Sequence, residues 1–176
     1  KICELREWQP RVPFIALTAT ATPQVLADIA DKLQLKNHQV FQKSFARENI
    51  SLAVRKTENK DHKLLEVLKK VQGSAIVYTR SRKATQETAA WLHKQGIPTT
   101  FYHAGLSHEQ RSERQKEWIH NHKRVMVATN AFGMGIDKED VRVVVHLDLP
   151  ENPESYYQEA GRAGREAQQS LAVLVA

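Results

Sequence analysis

The chain has 176 residues, of which 41% are hydrophobic, and it carries 26 Lys and Arg against 20 Asp and Glu. This length suits one good-sized domain, or one domain with a piece of another, and the hydrophobic share argues against wholesale disorder. No apolar run approaches the roughly 20 residues that a membrane span requires, so no membrane partner is predicted. The single cysteine, Cys3, excludes an internal disulfide and a cysteine-based zinc site, and it favours a reduced, intracellular setting.

The formal net charge of +6 is compatible with a polyanion partner such as nucleic acid, although many basic proteins have no such partner. The excess is uneven, because residues 1–120 carry 20 basic and 12 acidic side chains whereas residues 121–176 carry six and eight. Charge by itself therefore leaves the question of a nucleic-acid partner open.

Short apolar runs alternate with longer amphipathic segments, which is the pattern of a βα protein. Several of the runs, such as residues 125–128, are apolar throughout, as expected of parallel strands that are buried on both faces. The pattern predicts an α/β fold with a mostly parallel central sheet. The predicted strands are residues 14–17, 51–55, 75–79, 99–102, 125–129, 141–146 and 171–175.

Helix signals fall between these strands. Thr22 and Pro23 provide an N-cap and a first-turn proline, Gly96 predicts a helix end, and Ser107 with Gln110 forms a capping-box pattern. The predicted helices are residues 23–35, 61–71, 83–95, one that begins at the capping box, and residues 154–160.

The polar stretch at residues 42–49 lacks hydrophobic periodicity and predicts a connector. We place a domain boundary in it, with residues 1–43 on one side and residues 44–176 on the other. One strand and one helix are too few to bury their own apolar faces, so the first part is expected to be the tail of another domain. The second part is long enough for a complete α/β domain.

Four of the seven glycines lie in two clusters, and the first cluster is Gly133 with Gly135. It follows the buried strand at residues 125–129, so Thr129 and Asn130 are expected at the carboxyl end of that strand, where ligands collect in doubly wound sheets. Glycines at this place either let the main chain approach a ligand closely or form a turn between strands. The residues themselves leave both interpretations open.

The second cluster surrounds Arg162 and Arg165, which are flanked by Gly161 and Gly164. On a continuous helix Gln158 would share one face with both arginines. Neither arginine has a carboxylate four residues earlier, which argues against surface ion pairs. The arginine fork matches phosphate, and an arginine delivered to a phosphoryl-transfer site contributes roughly 10³–10⁵ in rate. A solvated basic turn is the alternative.

Other polar residues also follow predicted strands. Thr18 and Thr20 come after residues 14–17, Ser81 and Arg82 can hold a phosphate at a helix N-terminus, and His103 follows residues 99–102. A lone histidine is more often structural than a ligand. The histidine pairs of the chain lack cysteine or well-spaced carboxylate partners, so no metal site is predicted.

Five segments, in order, resemble the RecQ family of superfamily 2 DNA helicases over nearly the whole chain. Residues 16–22 resemble motif III, residues 76–82 resemble motif IV, residues 128–137 resemble motif V, and residues 156–165 resemble motif VI. Residues 102–106 are similar to the block that follows motif IV in this family.

This resemblance implies a RecA-like fold and an ATP-driven 3′-to-5′ DNA helicase of recombination and repair. The family has two RecA-like lobes, with ATP and Mg²⁺ between them and single-stranded DNA across both, and it acts at duplex junctions. The expected location is cytoplasmic, and nucleoid-associated if the source is bacterial.

The resemblance also implies roles for individual residues. Arg162 and Arg165 would reach the ATP phosphates, one of them as the arginine finger, with Gln158 assisting. Gly135 and Asp137 would lie against the nucleotide, Asp137 near the ribose. The positions near DNA are Thr18, Thr20, Ser81, Arg82, His103, Thr129 and Asn130, of which Thr18 and Thr20 would link the ATP site to the DNA.

The sequence contains neither a G-x-x-x-x-G-K-[ST] phosphate loop nor a D-E-x-H box, the elements that cradle phosphates and hold Mg²⁺. The family has both before the segment that ends at Thr22. We therefore expect this chain to be the end of lobe 1 followed by lobe 2, to depend on the remainder of lobe 1, and not to hydrolyse ATP by itself.

Two other functions stay open from the sequence. One is an RNA helicase lobe of the DEAD-box type, which usually has His-Arg-x-Gly-Arg in motif VI, whereas this chain has Gln158-Glu159-Ala160-Gly161-Arg162. The other is a non-catalytic RecA-like binding module, which would have no use for a pair of finger arginines.

Overall fold

The computed structural model describes residues 3–18, 21–42, 44, 46–133, 136–165 and 168–176. The chain forms two compact units, Lys1–Ala46 and Arg47–Ala176. The assignment of residues 1–43 to one helicase lobe and of residues 44–176 to another stays a prediction.

The first unit contains two described helices, α1 (Leu5–Trp8) and α2 (Pro23–Lys32). Thr22 caps α2 as predicted, because its hydroxyl accepts a hydrogen bond from the backbone nitrogen of Val25 at 3.3 Å. The helix ends at Lys32 and not at residue 35, since Gln34 has a positive φ of 50° that is incompatible with a right-handed helix.

The strand predicted at residues 14–17 is wrong, because the structure forms no strand there. A strand needs a neighbour that receives its backbone hydrogen bonds, and the six strands described in the chain all belong to the second unit. Ile15 and Leu17 are instead 81% and 91% exposed. The apolar run was visible in the sequence, but the presence of a pairing strand was not.

The second unit is built on a six-stranded sheet in which every pair of neighbouring strands is parallel. The order across the sheet is β1-β6-β5-β2-β4-β3. The predicted α/β class with a parallel sheet is therefore confirmed, and each strand predicted from residue 51 onward is present to within one residue. The strands are β1 (Ile50–Arg55), β2 (Ser74–Tyr78), β3 (Thr99–Tyr102), β4 (Val125–Ala128), β5 (Val141–His146) and β6 (Ser170–Val175).

Four helices connect these strands, and each begins at a side chain that accepts a hydrogen bond from the first helical turn. The predicted capping box is present: the Ser107 hydroxyl accepts from the Gln110 backbone at 3.2 Å, and the Gln110 side chain accepts from the Ser107 backbone at 3.1 Å. The helices are α3 (Lys60–Lys70), α4 (Arg82–Lys94), α5 (His108–Ile119) and α6 (Pro153–Ala160).

Alternate residues of the strands face two separate apolar clusters, which lie on opposite faces of the sheet. One cluster contains Leu64 of α3 and Leu92 of α4, and the other contains Trp118 of α5 together with Phe132. Trp118 is fixed further by its indole nitrogen, which donates to Ala75 O at 3.2 Å. The result is a three-layer arrangement with helices on both faces of a buried sheet.

Candidate functional site

The strands β2, β4 and β3 end side by side at one edge of the sheet, hereafter the carboxyl edge. Backbone hydrogen bonds continue past the strand ends, since Thr79 N donates to Ala128 O at 2.9 Å and Thr129 N donates to Tyr102 O at 3.3 Å. Parallel pairing thus brings together five residues that are far apart in the sequence. The predicted DNA-contacting residues at this edge are Ser81, Arg82, His103, Thr129 and Asn130.

Arg82 extends from the first turn of α4 towards the segment that follows β3. Ser81 is the N-cap of α4 and accepts from Ala84 N at 3.0 Å. The Arg82 guanidinium packs over Gly105, where an added Cβ would come within 2.8 Å of Nη1. A glycine at residue 105 therefore leaves the space that Arg82 fills.

His103 is held beneath this arginine. It is 5% exposed, and its Nε2 atom lies 3.1 Å from the Gln86 amide. Burial lowers the pKa of His103 below its ordinary value, and the positive charges of Arg82 and Arg114 lower this pKa further. The Nδ1 atom is buried and has no hydrogen-bond partner among the described residues. The imidazole is thus a buried, predominantly neutral group at neutral pH.

Arg114 of α5 is a cationic residue at this edge that sequence reasoning missed. Its guanidinium lies 3.8 Å from the centre of the Phe101 ring, and its Nη1 atom is 3.5 Å from the Thr100 hydroxyl. Arg114 lies in a polar helix without a distinctive sequence signal. Its guanidinium stacks on Phe101, and the Phe101 ring in turn stacks on His103. With Arg82 it makes this part of the carboxyl edge cationic, which suits phosphate.

A cavity of about 140 Å³ lies at the same edge, near the ends of β2 and β5. Asp148 is one of its lining residues, and its carboxylate accepts from Arg80 N at 2.8 Å. His146 lines it as well and makes a buried 2.8 Å hydrogen bond with Glu159 of α6. Sequence reasoning missed Asp148 and His146 because they belong to neither glycine cluster. The position of Asp148 just after a buried strand was the available signal.

The two predicted finger arginines lie beyond α6, which ends at Ala160, so the expectation that they share a helical face with Gln158 is wrong. Gly161 is the C-cap residue, and Gly164 has a positive φ of 68° that turns the chain. Both arginines therefore belong to a loop, hereafter the arginine loop (residues 161–165). Gln158 lies exposed on α6.

Arg162 joins the arginine loop to the connection between β4 and β5. Its Nη1 atom donates to Gly133 O at 2.5 Å. Gly133 has a positive φ of 133°, and a Cβ added there would overlap the Arg162 guanidinium. The close approach that Gly133 permits is therefore an approach of Arg162. The Arg162 Nε atom is buried, and no acceptor among the described residues bonds to it.

Arg165 forms an ion pair with Asp137, in the same β4–β5 connection. This pair contradicts the expectation that neither arginine makes a surface salt bridge, because the sequence argument considered only partners on the same helix. The Asp137 side chain is 77% exposed and that of Arg165 is 35% exposed. An exposed pair of this kind contributes only about 0–1 kcal/mol, so an anionic ligand can replace the carboxylate at little cost.

The remaining predicted site residues lie in the first unit or outside the described residues. Thr18 lies in the first unit and is exposed. Thr20 and Gly135 lie outside the described residues.

Two kinds of feature are absent from the described residues. None of the helices described is both long and apolar enough to cross a bilayer. Within the same part of the chain, no group of three or more His, Cys, Asp or Glu side chains is arranged to hold a metal ion.

The fold and these motifs define a class of protein. The model of the helicase conserved C-terminal domain matches residues 59–167, and the chain belongs to this family. The match covers β2 to β5 and the arginine loop, which are the elements that build both groups of candidate residues.

Curated relatives narrow the class and confirm the resemblance to RecQ helicases. The chain is 43% identical over 99% of its length to the RecQ-like DNA helicase blm-1 of Caenorhabditis elegans, and 42% identical over 97% to the ATP-dependent DNA helicase RecQ of Bacillus subtilis. It is also 44% identical over 97% to a protein of Acanthamoeba polyphaga mimivirus named "Putative ATP-dependent RNA helicase". The chain spans only 18%, 29% and 31% of these three proteins, respectively.

Solved structures share the fold. A structure of a Saccharomyces cerevisiae Dbp5 variant bound to Gle1 and IP6 matches with a TM-score of 0.78 and 20% identity, over 99% of this chain and 47% of that one. The Escherichia coli DEAD-box protein SrmB bound to RraA matches with a TM-score of 0.64 and 28% identity, over 70% of this chain and 74% of that one. The expected RecA-like fold is therefore confirmed.

Replacing Gly133 tests the contact with Arg162. Gly133→Ala is expected to lower the free energy of unfolding by more than Gly96→Ala, which serves as a matched control. Both glycines have positive φ, which strains any residue that carries a Cβ, and the φ of 133° at residue 133 is the less tolerated of the two. A Cβ at residue 96 meets nothing within 4 Å, whereas one at residue 133 displaces Arg162. Urea unfolding measures both variants, and equal losses would contradict the contact.

The environment of His103 predicts its titration. Nuclear magnetic resonance is expected to give a pKa for His103 below the ordinary value of about 6.5. Arg82→Ala should raise this pKa, because it removes a positive charge, but burial should keep the pKa below that ordinary value. Lys94→Ala removes the same charge at the far end of α4 and should leave the titration unchanged. An ordinary pKa in the unmodified chain would be inconsistent with the buried site.

Proposed function

We propose that this chain is part of an ATP-dependent 3′-to-5′ DNA helicase of the RecQ type, which unwinds DNA in recombination and repair. In this proposal residues 44–176 are the second RecA-like lobe, and residues 1–43 are the end of the first. The observation that carries it is the junction of the β4–β5 connection with the arginine loop, where Arg162 bonds to the Gly133 carbonyl and Arg165 pairs with the exposed carboxylate of Asp137. The cytoplasmic, or nucleoid-associated, location is part of the same proposal.

The geometry of the arginine loop fits the phosphates of ATP. Arg165 is paired with an exposed carboxylate that an incoming phosphate can replace, and Arg162 has a buried Nε–H group for which the described residues provide no acceptor. Phosphoryl transfer spreads negative charge over the transferred group, and a positioned guanidinium stabilises that charge. We assign one of the two arginines as the finger, with Gln158 assisting, and place Gly135 and Asp137 against the nucleotide.

The described residues do not fit Mg²⁺. The sequence contains no D-E-x-H box, the element that holds Mg²⁺, and the described residues provide no group of three or more His, Cys, Asp or Glu side chains arranged for a metal ion. We therefore assign the Mg²⁺ ligands to the remainder of lobe 1. By itself the 176-residue chain is expected to turn over no ATP, since its sequence contains no phosphate loop.

The carboxyl edge is the proposed DNA surface. Arg82 and Arg114 make it cationic around His103, and the hydroxyl and amide groups of Thr129 and Asn130 are beside them. Groups of this kind contact the phosphate backbone and carry no sequence information. Thr18 and Thr20 are proposed to link this surface to the ATP site in the complete motor.

An RNA substrate is the second candidate, and the observation that favours it is the 44% identity to a protein named as an RNA helicase. DNA is favoured by the RecQ names of other relatives and by a motif VI that lacks the usual DEAD-box His-Arg pair. A non-catalytic binding module is disfavoured, because such a module has no use for a pair of finger arginines.

The arginine assignment predicts a loss of ATP turnover. In the full-length parent, Arg162→Ala and Arg165→Ala are each expected to lower the DNA-stimulated ATPase rate by at least ~10³ while DNA affinity is largely retained. Arg55→Ala removes an arginine of β1 whose Nη1 contacts only the adjacent Val54 O among the bonds described, and it should leave turnover unchanged. Near-normal turnover in both loop variants would rule out the finger assignment.

The carboxyl edge predicts how the isolated chain binds nucleic acid. Binding of single-stranded DNA should be weak and steeply salt-dependent, and Arg82→Ala should weaken it and reduce the salt slope by about 0.7 if one phosphate contact is lost. Lys70→Ala is the charge-matched control, because Lys70 pairs with Glu66 at the end of α3, which precedes the amino end of β2. Equal losses of DNA affinity in Arg82→Ala and Lys70→Ala would exclude a specific contact between Arg82 and the DNA. Tighter binding of RNA of the same sequence would favour the RNA alternative.

A further inference from the structure

The carbonyl of Gly164, midway between the two arginines, is held by side chains from the start of the second unit. Arg47 Nη2 donates to Gly164 O at 2.7 Å, and Asn49 Nδ2 donates to the same oxygen at 2.5 Å. The Asn49 amide also donates to Gln168 O at 3.1 Å. The arginine loop is thus held by two side chains that come more than 110 positions earlier in the chain.

Arg47 and Asn49 lie next to the sheet, and the hydrogen bonds of β1 and β6 hold Asn49 in place. Ser170 N donates to Asn49 O at 2.9 Å, and the next residue, Ile50, pairs with Ser170 in the parallel ladder of β1 and β6. From the other side, Gly164 N donates to Val141 O at 3.1 Å. A Cβ on Gly164 would overlap the Asn49 amide nitrogen, so the approach requires glycine. The middle of the arginine loop is therefore fixed from both sides.

Arg47 and Asn49 also follow directly after the point in the chain where the two compact units divide. Ala46 is the last residue of the first unit and Arg47 is the first residue of the second. Arg47 and Asn49 belong to the polar stretch at residues 42–49, which the sequence identified only as a connector.

We propose that Arg47 and Asn49 are positioning residues for Arg162 and Arg165. This inference rests on the proposed function of the arginine loop in ATP hydrolysis. Placement matters there because a displacement of about 1 Å in a catalytic group can cost roughly 10²-fold in rate. Neither residue touches the nucleotide in this proposal; both act through the Gly164 carbonyl.

The test uses the full-length parent, four variants of Arg47 and Asn49, and a control variant on β1. Arg47→Ala, Asn49→Ala and Asn49→Asp are expected to lower kcat of the DNA-stimulated ATPase by roughly 10- to 100-fold, with little change in KM for ATP or in DNA affinity. Asn49→Asp has the shape of asparagine but turns an oxygen towards the Gly164 carbonyl, so it should be worse than Asn49→Ala. Arg47→Lys keeps a donor and should restore part of kcat. Arg55→Ala on the adjoining strand is the matched control.

The outcomes separate the two proposals. If Arg162→Ala and Arg165→Ala both have near-normal turnover, the proposed function fails, whatever the Arg47 and Asn49 variants do. If Arg162→Ala is inactive while Arg47→Ala and Asn49→Asp have normal kcat, the positioning role is overturned and the proposed function stands. A structural role would lower the melting temperature and leave kcat of the folded enzyme unchanged. Arg47 is exposed, so Arg47→Ala is expected to fold. If the Asn49 variants fail to fold, kcat of Arg47→Ala tests the positioning role.

Discussion

The contact between Arg162 and Gly133 is the interaction on which the rest of the arginine site depends. It joins two loops that are 29 residues apart, and it exists only because residue 133 has no side chain and adopts a positive φ. Gly161 and Gly164 do the same for the arginine loop. Gly161 ends α6 and Gly164 turns the chain, so that both arginines face the β4–β5 connection. With Arg162 in place, Arg165 reaches Asp137.

The arginine loop and the carboxyl edge share one buried support. Tyr78 ends β2 beside the segment that contains Ser81, and its hydroxyl donates to Phe132 O at 3.3 Å, next to Gly133. Its ring stacks on His146, with 5.2 Å between the ring centres. Burial raises the pKa of Tyr78 above its ordinary value although the charge of Arg162 opposes this shift, so the hydroxyl stays neutral and remains a donor. The two surfaces are thus built on the same core residues.

Local signals in the sequence predicted most of the second unit. Ser107 and the uniformly apolar run at residues 125–128 gave a helix start and a buried strand that the structure confirms, because a cap or a run of apolar residues acts within a few positions. The same reasoning failed at residues 14–17, where a strand needs a partner, and at Arg162, where helical spacing was extended past a glycine. It also could not relate Arg47 to Gly164, since no local rule connects residues 117 positions apart.

The sequence by itself determined the βα pattern, most helix and strand positions of the second unit, the resemblance to RecQ helicases and the identity of the polar residues at strand ends. Only the tertiary structure decided which of these residues meet. Parallel pairing brought Arg82 to His103, backbone turns at glycines brought Arg162 to Gly133, and the ladder of β1 with β6 brought Asn49 to Gly164. The physical reason is that local propensities act over a few residues, whereas these contacts depend on the order of strands in the sheet and on the space left where a side chain is missing.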